Sequence, residues 1–147
     1  MENCFEIIEN ATKFNTIDSI SLSYDNRFIR RKKLVSDNGI EFLVNLPETK
    51  SLFQNQAFKL ENKNLILIIS KPEILLAITG RKLMKLIWHI GNRHMPCQIE
   101  ENRILIQKDY VIKEMILKLG GIVDEVIEPF NPEGGAYGIG RTHSHKH

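Results

Sequence analysis

Before Pro72 the apolar positions fall in short β-favouring runs and show no sustained helical spacing. Residues 27–35 (Arg-Phe-Ile-Arg-Arg-Lys-Lys-Leu-Val) and 40–46 (Ile-Glu-Phe-Leu-Val-Asn-Leu) flank Ser36-Asp37-Asn38-Gly39. Asn-Gly between two such runs predicts a hairpin, because both residues accept positive φ. The continuous apolar run Leu65 to Ile69 predicts a buried strand. Residues 1–71 therefore read as a small β-rich domain.

After Pro72 the periodicity changes. Glu73 to Ile78 predicts a strand, with Thr79 as cap of a helix beginning near Gly80. Leu83, Leu86, Ile87 and Ile90 recur at helical spacing, and Gly91 and Asn92 are expected to end that helix. Pro96–Glu100 and Arg103–Gln107 predict two strands joined by a tight polar turn. Asp109 is placed to cap a second helix, whose apolar face would comprise Ile112, Met115, Ile116 and Leu119. Gly120-Gly121 ends it, Ile122 to Ile127 predicts a last strand, and Pro129 stops the strand. Residues 72–130 thus follow the order β-α-β-β-α-β of a ferredoxin-like split βαβ domain. Residues 131–147 hold four glycines, one proline and few apolar side chains, and are expected to form a mobile tail. The fold class expected is α+β.

Composition narrows the function more than the fold. Twenty basic residues against 18 acidic give a net charge of +2, too balanced for whole-chain nucleic-acid or membrane binding. No run approaches the ~18–20 apolar residues of a membrane span. The start, Met1-Glu2-Asn3-Cys4, lacks a basic region followed by an apolar one, so a cytoplasmic protein is expected. The two cysteines, Cys4 and Cys97, form neither a disulfide framework nor a zinc knuckle and are expected to be reduced.

Three of the five histidines, His143, His145 and His147, alternate at the end of the chain. Alternate histidines on an extended segment can swing onto one cation, and neutral imidazole suits nickel, copper and zinc. His94 lies in Gly91-Asn92-Arg93-His94-Met95-Pro96, between the first helix and the strand after it. One histidine makes a weak site, but a residue on a two-fold axis appears twice in one place. His89 reads as a helix-surface or packing histidine. Cys97 could add sulfur, yet in a strand it would share a face with Ile99, which favours burial.

Five cations in the seven residues Arg27–Lys33 raise the alternative of a nucleic-acid-binding module. The favoured reading is a charged edge strand. A ferredoxin-like RNA binder would stack bases on sheet aromatics, and Glu73–Ile78 and Arg103–Gln107 contain none. Phosphate loops, nucleophile elbows and His-Glu-x-x-His helices are absent from the sequence. A metalloenzyme built on His94 and the tail would lack a general base. The chain is therefore expected not to be an enzyme.

The segment Ile90-Gly91-Asn92-Arg93-His94-Met95-Pro96-Cys97-Gln98-Ile99 closely resembles the urease accessory protein UreE family, the nickel metallochaperones of urease assembly. So do Asp109-Tyr110-Val111-Ile112, Lys118-Leu119-Gly120, Glu128-Pro129-Phe130, Pro132-Glu133-Gly134-Gly135-Ala136-Tyr137, the histidine-bearing tail and the Arg-rich hairpin at residues 27 to 46. The resemblance implies a peptide-binding-like first domain, a ferredoxin-like metal domain, and a homodimer holding Ni2+ between two copies of His94. It also implies hand-over to the urease accessory GTPase and the urease apoprotein complex. Zn2+ or Cu2+ could occupy the same site. Some members carry histidines where this chain has Gln107-Lys108-Asp109-Tyr110, so no supplementary site is expected there. With three tail histidines, storage of several ions per chain is not expected either.

Overall fold

The protein is α+β. The structure, a computed structural model, describes residues 1–134. The chain divides into two units, Met1–Lys71 and Pro72–His147. Among the described residues, no helix is long and apolar enough to cross a membrane.

The first unit holds β1 (Glu2–Ile8), β2 (Asp18–Leu22), β3 (Phe28–Val35), β4 (Glu41–Ser51), β5 (Ala57–Leu60) and β6 (Leu65–Ser70). They form one mixed sheet in the order β2-β6-β5-β1-β4-β3. The Asn38-Gly39 turn joins β3 and β4 as the sequence implies, with Gly39 at φ 95 and Val35 opposite Glu41. β4 runs on to Ser51, past the expected end at Leu46, because β3 continues to pair with it beyond a bulge between Ile29 and Arg31. Alternating residues of these strands bury Phe42, Val44, Leu46, Phe58, Ile66 and Ile68 in one core.

β3 closes one end of the strand order, where surface cations discourage edge-to-edge pairing. The basic run is not uniformly exposed, however. Arg27 precedes β3, is 2% exposed, and donates from Nη1 to the Leu22 carbonyl at 2.9 Å. Only Arg30 to Lys33 present charge to solvent, and Lys33 meets Glu41 at 3.4 Å.

β2 closes the other end of the order, yet the β3–β4 turn is bonded to it. The Asp37 amide donates to the Ser19 carbonyl at 2.8 Å, and Asp37 Oδ2 accepts from Ser19 Oγ at 2.6 Å. Asp18 Oδ1 accepts from Asn38 Nδ2 at 2.7 Å, while its Oδ2 accepts from Ser36 Oγ. The sheet is therefore curled until its two ends meet, and the join is made largely by side chains.

The second unit holds β7 (Pro72–Thr79), α1 (Leu83–Asn92), β8 (Gln98–Ile99), β9 (Ile104–Gln107), α2 (Tyr110–Lys118) and β10 (Ile122–Pro129). All its strand pairs are antiparallel, in the order β10-β7-β9-β8. Leu76 and Ile78 of β7 and Ile104 and Ile106 of β9 meet Leu86 and Ile90 of α1 and Ile112 and Ile116 of α2. Both helices thus cover the same face of the sheet.

Several local expectations shift. α1 starts after Lys82, not at Thr79–Gly80, because Thr79 still pairs with Ile122 in β7. β8 is only two residues long, since Pro96 has no amide hydrogen to donate to a ladder. Asp109 does cap α2, accepting from the Ile112 amide at 2.9 Å. Leu119 is the C-cap residue and 40% exposed, so it leaves the apolar face of that helix. The first residues of the expected tail are hydrogen-bonded to the second unit. The Asn131 amide donates to Gln98 Oε1 at 2.8 Å and the Glu133 amide to the Cys97 carbonyl at 2.9 Å. Residues 135–147, with His143, His145 and His147, lie outside the described residues.

The join at Asp18 makes the first unit acid-sensitive. Hydrogen bonding, chiefly from Ser36, holds the Asp18 carboxyl below the ordinary value of 3.8, against the opposing effect of burial. A depressed folded-state pKa stabilises fully above the unfolded value and is lost as pH falls through the folded value. Asp18→Asn should melt below the parent at neutral pH, and the gap should narrow as pH falls below 3.8. Thermal melts followed by circular dichroism across that range test this; a gap independent of pH would count against the join.

Candidate metal centre

The chain reversal between α1 and β8 sets the position of His94. After the C-cap Arg93, the His94 amide donates to the Gly91 carbonyl at 3.0 Å and the Met95 amide to the Ile90 carbonyl at 3.4 Å. That pair of bonds is a Schellman motif, which needs a left-handed residue just past the cap. His94 supplies it, at φ 57.

α2 ends in the same way. There the Gly120 amide donates to Leu117 at 3.1 Å and the Gly121 amide to Ile116 at 2.9 Å, with Gly120 at φ 84. His94 therefore occupies the place that glycine fills in the neighbouring helix. The sequence pattern predicts Gly91 and Asn92 as the terminators. The structure instead keeps both inside α1 and gives the left-handed turn to the histidine. A non-glycine residue there costs on the order of 1 kcal/mol.

The turn is held at both ends. Met95 packs against the core that contains Ile90, the apolar contact that usually accompanies this motif. His94 itself stays exposed to solvent. Its backbone is thus fixed while its imidazole remains accessible.

The other candidate ligands fall differently. His89 lies half-exposed on α1, edge-on to Trp88 with ring centroids 5.0 Å apart. Cys97 lies just before β8 and packs against the core, while Ile99 is 42% exposed. Burial, with a smaller contribution from Glu133, pushes the Cys97 thiol up. A thiol binds metal as the thiolate, which this upward shift disfavours. Cys4 is fully buried and its thiol is also raised by burial. Among the described residues, no group of three histidine, cysteine or acidic side chains could hold a metal.

Two further features are not apparent from spacing alone. Met84 and Trp88, one turn apart on α1, are 85% and 64% exposed, and a Cβ added at nearby Gly91 would meet nothing within 4 Å. Two large apolar side chains of α1 thus lie open on its surface, beside the exposed Lys85. Second, Arg103 grips Glu128 with both ends of its guanidinium, at 2.8 and 2.6 Å, and donates from Nε to Glu100 at 2.8 Å. This grip raises the Arg103 pKa and lowers that of Glu128. Glu100 in turn accepts from Gln98 Nε2 at 2.7 Å. These partners are 25 residues apart in sequence for Arg103 and Glu128, so no local pattern announces them.

The family described as UreE urease accessory protein, C-terminal domain, matches residues 73–147. A urease accessory protein UreE of Ruegeria pomeroyi is 56% identical over 130 residues, covering 88% of this chain and 87% of its own length. One from Rhodobacter capsulatus is 51% identical over 130 residues, covering 88% and 83%. One from Chelativorans sp. is 45% identical over 139 residues, covering 92% and 86%.

The left-handed turn makes a direct test of strain. His94→Gly should melt above His94→Ala by the equivalent of about 1 kcal/mol, because glycine adopts this conformation freely. Differential scanning calorimetry of the two variants decides it; equal melting temperatures would remove strain at His94 from the account.

Proposed function

The chain belongs to the urease accessory protein UreE family, and on that footing we propose that it is a nickel metallochaperone that captures Ni2+ at a dimer-interface histidine site. The family is one of accessory chaperones, and the chain is not an enzyme. The observation that carries the nickel reading is the exposed imidazole of His94 on a turn fixed by two backbone hydrogen bonds.

In this reading the second unit is a ferredoxin-like metal domain over residues 72–130, and residues 131–147 are a histidine-bearing tail. Two copies meet about a two-fold axis that brings their His94 side chains together. Symmetry then supplies two imidazoles where one protomer supplies one. The exposed Met84 and Trp88 on α1 support this, since a second copy would cover them. His143, His145 and His147 complete the shell. The hydrogen bond from Glu133 to Cys97 supports their reach. The ten residues from Glu133 to His143 extend up to roughly 35 Å.

Positions not filled by protein ligands let a partner withdraw the ion by ligand exchange. Protons compete for imidazole nitrogen, so acid releases the metal. The recipients are the urease accessory GTPase and the urease apoprotein complex. The first unit, residues 1–71, is the peptide-binding-like module of that assembly. Zn2+ and Cu2+ suit the same donors, and copper would outrank nickel on affinity alone, so geometry and supply decide the cargo.

Oligomeric state is the first check. The parent should scatter light as a particle of twice 17.0 kDa, and Met84→Glu with Trp88→Glu should return it to the monomer. A parent that stays monomeric with and without nickel would sink the shared site. Nickel affinity is the second check. His94→Ala should keep its far-ultraviolet circular dichroism but bind nickel at least roughly tenfold more weakly, while His89→Ala changes little. Calorimetric titration reads both; unchanged affinity in His94→Ala would move the metal elsewhere.

A further inference from the structure

Leu76 and Ile78 of β7 and Ile104 and Ile106 of β9 face the helices, so their alternates Leu75, Ala77 and Leu105 face the other way. Gln98 lies opposite Leu105 in the β8–β9 ladder and shares that second face. Its Oε1 accepts from the Asn131 amide at 2.8 Å, and the Glu133 amide donates to the Cys97 carbonyl at 2.9 Å. Pro129 is still paired with Pro72 on β10, the terminal strand at the opposite side of the sheet. The chain therefore crosses from one edge to the other between Pro129 and Glu133, over the face turned away from α1 and α2. Phe130 is completely buried on the way.

The origin of this crossing is weakly paired. Pro72 and Pro129 face each other at the end of the β7–β10 ladder, and neither has an amide hydrogen to donate. The next pair is Glu73 with Glu128, two like charges directly opposite, which repel. Arg103 offsets that repulsion by gripping Glu128 at 2.8 and 2.6 Å. It also donates to Glu100 at 2.8 Å, and Glu100 accepts from Gln98 Nε2 at 2.7 Å. One guanidinium thus ties the start of the crossing to its landing point, which its planar fork suits it to do. We propose that Pro129–Glu133 is a releasable strap, clasped by Arg103 against the repulsion between Glu73 and Glu128, that lifts as one piece while the sheet beneath stays folded. Burial of Phe130 is the chief force that closes it. Lifting breaks few bonds and bares little surface, so it lies far below global unfolding in free energy.

Native-state hydrogen exchange on the full chain, followed by NMR in low concentrations of guanidinium, reads the opening directly. In the parent, the Asn131 and Glu133 amides should exchange at least roughly tenfold faster than amides of the β7–β9 ladder. Their rate should barely depend on denaturant, because that dependence scales with the surface exposed. Arg103→Gln should speed the two strap amides by roughly three- to tenfold and leave the ladder amides at the parent rate. Glu73→Gln added to Arg103→Gln should recover part of that loss, because it removes the uncovered repulsion while keeping a side-chain oxygen as acceptor. Strap amides that share the ladder's rate and denaturant dependence would overturn the inference, since the crossing would then open only with the whole unit. The parent settles that point even if Arg103→Gln fails to fold. Equal acceleration of strap and ladder amides in Arg103→Gln would also overturn it, because the arginine would then support the unit rather than the strap. So would the absence of any recovery in the double variant.

Discussion

Two backbone hydrogen bonds at the end of α1, from His94 to Gly91 and from Met95 to Ile90, decide where the candidate centre lies and how rigid it is. They turn the chain from a helix packed on the sheet into the short strand β8, with Met95 directed to the core and His94 to solvent. A histidine on an ordinary surface loop would search many orientations before binding. Here the backbone search is already complete, fixed by the left-handed turn. The left-handed conformation is the accompanying cost, and the second helix shows the relaxed alternative, with Gly120 in the equivalent place. Gly121 follows it because an added Cβ would lie 2.5 Å from Ile116 Cγ2. At the end of α1 the same backbone motif holds a histidine.

What the sequence reveals depends on how local the cause is. The element order of the second unit was readable because α1 and α2 carry apolar residues at helical spacing, and because Asp109 and Gly120 act within one turn of themselves. The β3–β4 hairpin was readable from Asn38-Gly39 for the same reason. β1 was not read: Glu2–Ile8 mixes polar and apolar residues, and its central place comes from pairing with both β4 and β5. Arg27 looked like part of a surface charge run because nothing nearby in sequence predicts its bond to the Leu22 carbonyl. His94 was singled out from its motif, but the conformation that presents it was not. Gly91 is the obvious terminator by composition, and the hydrogen bonds place the turn three residues later.

The family relationship and the geometry carry different parts of the functional conclusion. Membership in the UreE family rests on the matched domain and on relatives covering most of the chain. It explains why an isolated surface histidine merits more weight than its chemistry alone would give. The geometry adds what a family name does not. It gives a left-handed turn held by two backbone hydrogen bonds, a Cys97 thiol whose pKa burial pushes up, and exposed Met84 and Trp88 on α1.

The closure of the first sheet through Asp18 and Asp37 has a colloidal consequence. Side-chain bonds between β2 and the β3–β4 turn are the weakest links in an otherwise backbone-bonded sheet, so brief opening would begin there. Opening bares the two terminal strands. β2 alternates serine with buried Ile20 and Leu22 and carries little charge beyond Asp18, which makes it a ready template for another chain. β3 bears Arg30, Arg31, Lys32 and Lys33, and two such edges repel each other. The basic run that resembles a nucleic-acid patch thus acts as a gatekeeper against self-association, guarding one edge of the opened sheet and leaving β2 as the edge from which aggregation would start.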